Sequence, residues 1–334
     1  MSALNSPRRA DGPGGEARQA KRDRPGPRSY AGVPVVHRAH WKWLVIAYFF
    51  LGGIAGGAQA IAAVAALVGG KPARRVARTA RYVSFAAFLP CPALLILDLG
   101  RPERFLRMLR VLKLRSPMSI GTWCLLLFGG AATATAAAQA VEDCLLPDAV
   151  RPLTRRLPAP ALDAFAGGLG LLLAGYTGVL LGATAVPLWA RRAMVLGPLF
   201  LSSALSTAAA AISLSRAAFG RGHDPDLARF EQAAALVESS LLLTWLAGLG
   251  GSGRPLHTGR LGFASRHGVA GGGLFAPLLL NAAAFTFARV RRPLAIGAAI
   301  LTLAGGFLLR YLVIVAGHAS ADDPEATFEM TRRR

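Results

Sequence analysis

Cysteine is scarce, acidic residues are few, and no histidine falls inside a long apolar run. Each shortage closes off a class of chemistry. The three cysteines, Cys91, Cys124 and Cys144, are widely separated and form no CxxC spacing. An iron–sulfur cluster takes about four thiolates and a structural zinc site about four ligands, so the chain is expected to hold no cluster and no metal. The six histidines (His37, His40, His223, His257, His267 and His318) lie in connections or at the extreme ends of apolar runs. A haem strung between membrane helices needs axial ligands at depth, so no haem is expected either. Any redox work must use cofactors borrowed from partners.

Only 17 Asp and Glu stand against 38 Lys and Arg, a net charge of +21. So basic a balance raises the question of nucleic acid. The arginines, however, border nearly every apolar segment and form no stripe interleaved with aromatics. That is the pattern of membrane flanks facing anionic headgroups, and no nucleic-acid partner is expected.

Charged residues make up 16% of the chain and apolar residues 53%, so charge is confined to short connections. Eight apolar segments approach the roughly 20 residues that cross a hydrocarbon core. In the first half they run from about Leu44 to Val68, Tyr82 to Leu99, Ser119 to Ala140 and Ala164 to Leu188. The second half adds Val195 to Leu214, Ala233 to Gly250, Gly268 to Ala288 and Leu294 to Ala316. Backbone groups inside lipid must be satisfied within their own segment, so these are helices. Pro90 and Pro92 predict a kink in the second. The expectation is an all-α integral membrane protein with eight transmembrane helices.

Residues 1–40 are predicted to be a disordered basic arm rich in Arg, Pro, Gly and Ser, without the apolar core of a secretory signal. Residues 41–318 form the membrane domain, and 319–334 a polar tail. Eight spans put both termini on one side. The Lys/Arg balance leans toward that side being cytoplasmic.

The first segment contains two overlapping GxxxG spacings, Gly52/Gly56 and Gly53/Gly57, which suit close helix approach. Tyr176 in the fourth is a phenol able to donate to a quinone carbonyl, or an interfacial anchor. Glu238, inside the sixth, is a proton relay by default; otherwise it pairs with Arg229 or reaches the interface. Arg310, deep in the last, needs a counter-ion such as Asp98 or Glu238. Asn281 and Gln59 suit interhelical hydrogen bonds. Asp98 and Arg101, three apart, would share a helix face and form a salt bridge at the segment end. Gly100 and Pro102 stop the helix there.

The run Asp98-Leu99-Gly100-Arg101-Pro102-Glu103-Arg104-Phe105 leads to Ser116-Pro117-Met118-Ser119, with Gly121 and Trp123 following. Together with Trp41-Lys42-Trp43, Tyr176-Thr177-Gly178, Pro187-Leu188-Trp189, Pro198-Leu199-Phe200 and Arg310 with Gly317-His318, it resembles the NrfD/PsrC family. These are the membrane subunits of polysulfide-reductase-like molybdoenzyme complexes. The resemblance spans about 40–320. It implies two four-helix bundles and a subunit that is not catalytic on its own. It further implies a bound quinone (menaquinone or ubiquinone) exchanging electrons with a ferredoxin-like 4Fe–4S subunit, which serves a molybdopterin catalytic subunit. By position Tyr176 matches the family's quinone-contacting tyrosine, with His40 and Trp43 as neighbours. Asp98 and Glu238 would carry protons, while Arg101 and Arg310 pair charge. The implied location is the bacterial cytoplasmic membrane. The alternative is a secondary transporter or a proton-conducting subunit without quinone chemistry.

Overall fold

The computed structural model describes residues 41–100, 109–147, 159–220 and 224–323, with positions 36, 103, 222, 326 and 327. The basic arm apart from position 36, with His40, and Arg101 therefore lie outside the described residues.

The first half of the chain folds into α1 (Trp43–Val68), α2 (Gly70–Phe88), α3 (Cys91–Asp98), α4 (Pro117–Glu142) and α5 (Ala159–Gly182). A turn at Leu89 and Pro90 separates α2 from α3, as the prolines predicted. The second half begins with a short α6 (Pro187–Ala190), followed by α7 (Ala193–Ala218) and α8 (Pro225–Ala247). After the short α9 (Arg254–His257), α10 (Gly259–Phe263) continues through a π-helical stretch, Ala264–Phe275, into α11 (Ala276–Thr286). The last helix, α12, covers Arg291–Ala321.

Local chemistry sets several helix starts. Ser116 accepts from the Ser119 amide at 3.5 Å and Asp224 from the Leu227 amide at 3.2 Å, each followed by a proline in the first turn. Cap and proline together satisfy or remove amides that the first turn leaves unpaired.

Among the described residues, seven helical stretches are long and apolar enough to cross a membrane, which makes this a multi-pass membrane protein. They are α1, α2 with α3, α4, α5, α7, α10 through α11, and α12 with the short turn before it. The sixth of the eight expected segments is not among them. The sixth segment does fold as α8, but Glu231 and Glu238 dilute its apolar character. The fourth segment also ends earlier than expected, at Gly182 rather than Leu188. Pro187 has no amide to continue the ladder and instead opens α6.

Successive long helices alternate in direction. One end of the molecule, here the first end, gathers Trp43, Asp98, the start of α4, the close of α5 and the close of α12. The other gathers the α1–α2 turn, the close of α4 and the starts of α5 and α8. In the first half α1 packs on α2 and α5, and α4 on α2 and α5. In the second, α7 packs on α8 and α12, and α11 on α12. The halves meet broadly, because α7 packs on α5 as extensively as on α8 and also on α1.

Glycines make that seam possible. A Cβ on Gly56 would lie 2.3 Å from the Gly170 carbonyl oxygen, and one on Gly57 would lie 2.7 Å from that of Ala204. Gly56 and Gly57, the second member of each GxxxG spacing, thus make backbone contacts with α5 and α7, as the packing interpretation expected. At the far side the π-helical stretch carries Gly273 against Gly305 of α12. Trp189 is fully buried rather than interfacial: its indole donates to the Val313 carbonyl at 2.8 Å and stacks on Trp41 at 5.2 Å.

Candidate functional site

Two groups of polar side chains stand out from the apolar interior. The first is at the first end, around Tyr176. This residue lies near the close of α5, and its ring fills the space beside Gly121 of α4, where any Cβ would clash with it. Its hydroxyl donates to the Pro117 carbonyl, the first residue of α4. Ser116 and Pro117 fix the start of α4, and Gly121 lets the phenol lie flat on it. Tyr176 is half-buried, so its polar tip stays within reach of a ligand. Tyr48 of α1 and Cys124 of α4 are its electrostatic neighbours.

Asp98 closes α3 at the same end, half-buried, with Lys42 as the nearby cation. Trp43 opens α1 there and is 69% exposed. The structure thus brings Trp43, Asp98 and Tyr176 to one end of the molecule, with Tyr176 alone fixed by a hydrogen bond to a neighbouring helix.

The second group is buried where α7, α8 and α12 meet. Arg310 is fully enclosed. Its Nε donates to the Phe49 carbonyl at 3.2 Å, and its Nη1 to the Gly306 carbonyl at 2.8 Å and to Ser203 Oγ at 3.1 Å. The guanidinium also lies over the Phe50 and Phe200 rings at 5.8 and 5.5 Å. Gly53 supplies the room, since a Cβ there would come within 2.9 Å of Nη2. Glu238 accepts from Ser206 Oγ at 2.7 Å and is the carboxylate whose charge Arg310 feels. Ser203 and Ser206, one turn apart on α7, stand between the two charges. Asp98 is therefore not the counter-ion. Arg229 pairs with Asp226 at 3.0 Å, which leaves Glu238 to this network.

Two turns from Glu238 on α8, Glu231 accepts from Asn281 at 3.4 Å and Thr302 at 3.5 Å. Gln59 donates to Thr135 at 3.2 Å. Both amides thus make the interhelical bonds expected of them. The bridging serines are legible only as small polar residues at i and i+3 in an apolar run. Another buried pair, Arg81 with Asp163 (2.6 Å), joins α2 to α5. Nothing in the sequence connects those two residues across 82 positions.

Among the described residues no three His, Cys, Asp or Glu side chains gather as a metal site would require. What the arrangement offers is hydrogen-bond donation at the first end and exchangeable protons in the interior. The family model described as polysulphide reductase, NrfD, matches residues 35–321. No curated protein matches the chain.

Proposed function

The chain belongs to the polysulphide reductase NrfD family, and we propose on that premise that it is the quinone-facing subunit of a molybdoenzyme complex. Electrons would pass between a quinone and a ferredoxin-like iron–sulfur partner, with a molybdopterin subunit beyond it. The observation that carries this reading is Tyr176. It is a half-buried phenol seated on Gly121 where apolar helices end, and its single hydroxyl proton would turn from the Pro117 carbonyl to a quinone carbonyl. A bound quinone supplies two-electron, two-proton redox chemistry.

The chain's own residues bind, orient and manage protons. Tyr176 donates to the ring carbonyl and fixes its position, while Trp43 covers the site's edge. His40, three residues earlier, joins this proposal by its place in the chain. Asp98, beside Lys42 at the same end, exchanges protons with the aqueous surface. Glu238, bonded to Ser206, holds a proton in the interior. We further assign α8 as the eighth span, packed on α7 with its carboxylates turned inward, so that each half contributes four spans.

Tyr176→Phe keeps the ring on Gly121 and removes only the donor. A single hydrogen bond is worth about 1 kcal/mol, so quinol oxidation by the purified complex is expected to fall roughly five- to tenfold, with a stability loss of no more than about 1 kcal/mol from the lost Pro117 bond. Undiminished turnover would remove Tyr176 from the site. The Arg310–Glu238 network favours a second reading, a proton-conducting subunit without quinone chemistry. In that case Glu238→Gln would lower proton flux into proteoliposomes, while Tyr176→Phe would change nothing.

A further inference from the structure

The start of α2 carries Lys71, Arg74, Arg75, Arg78 and Arg81 and no acidic residue. Cations at a helix N-terminus oppose the macrodipole, and Lys71/Arg75 and Arg74/Arg78 are like charges at i,i+4 spacing. The cluster is therefore destabilising for the helix unless anions meet it. The structure supplies some of them. Asp163 binds Arg81 through both carboxylate oxygens, at 3.2 and 2.6 Å, and Gln139 accepts from Arg81 Nη1 at 2.6 Å. Asp143 takes Arg78 at 2.8 Å and Tyr82 at 2.5 Å.

Arg74 and Arg75 are exposed, and their side chains make no hydrogen bond or ion pair among the described residues. They open onto a cavity of about 360 Å³ whose other walls include Arg78, Arg81, Gln139 and Glu142. Small residues, Ala66 and Ala77, leave its inner wall open to close approach. Five cations face three carboxylates, Glu142, Asp143 and Asp163, which leaves an excess of two positive charges.

The cavity lies where α1 ends, α2 begins and α4 ends, among the ends of membrane-spanning helices. It is at the opposite end from Tyr176. We propose that it binds the phosphate of an anionic phospholipid. Arg74 and Arg75 hold the phosphate, Arg78 supports them, and the Arg81–Asp163 pair forms a rigid floor. Arginine suits the task because its planar fork matches phosphate oxygens bidentately. A basic recess between membrane helices is a recurrent form of headgroup recognition.

The test is native mass spectrometry of the full chain in detergent, titrated with phosphatidylglycerol. The variants are Arg74→Gln/Arg75→Gln and, with the same charge loss elsewhere, Arg260→Gln/Arg289→Gln. The parent and the control are expected to retain one phosphatidylglycerol and no phosphatidylcholine. The Arg74/Arg75 variant should bind it roughly thirtyfold more weakly, from about 1 kcal/mol per arginine. Equal weakening in both variants would reduce the effect to net charge and overturn the site. Inorganic phosphate is the second arm. Its failure to displace the lipid at millimolar concentration supports the lipid. Phosphate binding with no lipid retained would assign the recess to a soluble anion instead.

Discussion

Arg310→Gln is expected to lose about 3 kcal/mol or more of stability, the range seen when one member of a buried charge pair is removed. The parent guanidinium is fully enclosed, its Nε and Nη1 donating to two carbonyls and a serine hydroxyl, with two aromatic faces beside it. Glutamine reaches fewer of these acceptors and leaves Glu238 without its compensating charge. Arg310→Lys keeps the charge but not the fork, so an intermediate loss is expected. The informative variant is Arg310→Gln/Glu238→Gln. If the charges are coupled through Ser203 and Ser206, its loss will be smaller than the sum of the single losses. Thermal unfolding of the four purified proteins reads this directly. An Arg310→Gln protein as heat-resistant as the parent would deny the pair any part in stability.

Gly56→Val is expected to cost about 3 kcal/mol, the upper end for overpacking a close contact. What obstructs the new side chain is the Gly170 carbonyl, a backbone atom that cannot swing aside as a flexible side chain would. The contact is mutual, since a Cβ on Gly170 would lie 2.5 Å from the Gly56 oxygen. Two helix backbones must separate, and the α1–α5 seam opens with them. Gly52→Ala, four residues away on the same helix, provides the comparison. Its nearest neighbour is Tyr48 at 3.8 Å, ordinary contact, so a neutral or slightly stabilising effect is expected from helix propensity. Gel filtration of the two variants after a heating series separates the outcomes. Equal loss in both would show that the effect does not come from the α1–α5 seam.

These two cases mark where reading the sequence works and where it stops. GxxxG spacing signals close approach, and Gly56 and Gly57 make such approaches to α5 and α7. The spacing does not say that Gly53 serves another purpose, leaving room for Arg310. Arg310 in an apolar run announces a need for compensation. Its choice between Asp98 and Glu238 depends on which helices are neighbours. Likewise, Tyr176 is conspicuous in the sequence, whereas its seat on Gly121 and Pro117 depends on α4 and α5 being adjacent.

Composition and periodicity determine that this chain is helical, crosses a membrane repeatedly and collects its charge in short connections. Those properties follow from the cost of putting unpaired backbone and charge into hydrocarbon, which each segment must meet alone. α8 falls outside the seven apolar spans for a related reason. Its two carboxylates lower its own hydropathy, while the hydroxyls and amide that receive them, Ser206, Thr302 and Asn281, come from three other helices. Only the tertiary structure decided those partners, the burial of Trp189, the Arg81–Asp163 pair and the recess formed by α2 and α4. Each is a contact between segments tens to hundreds of residues apart. Its energy depends on a distance between helices, and no single segment encodes that distance.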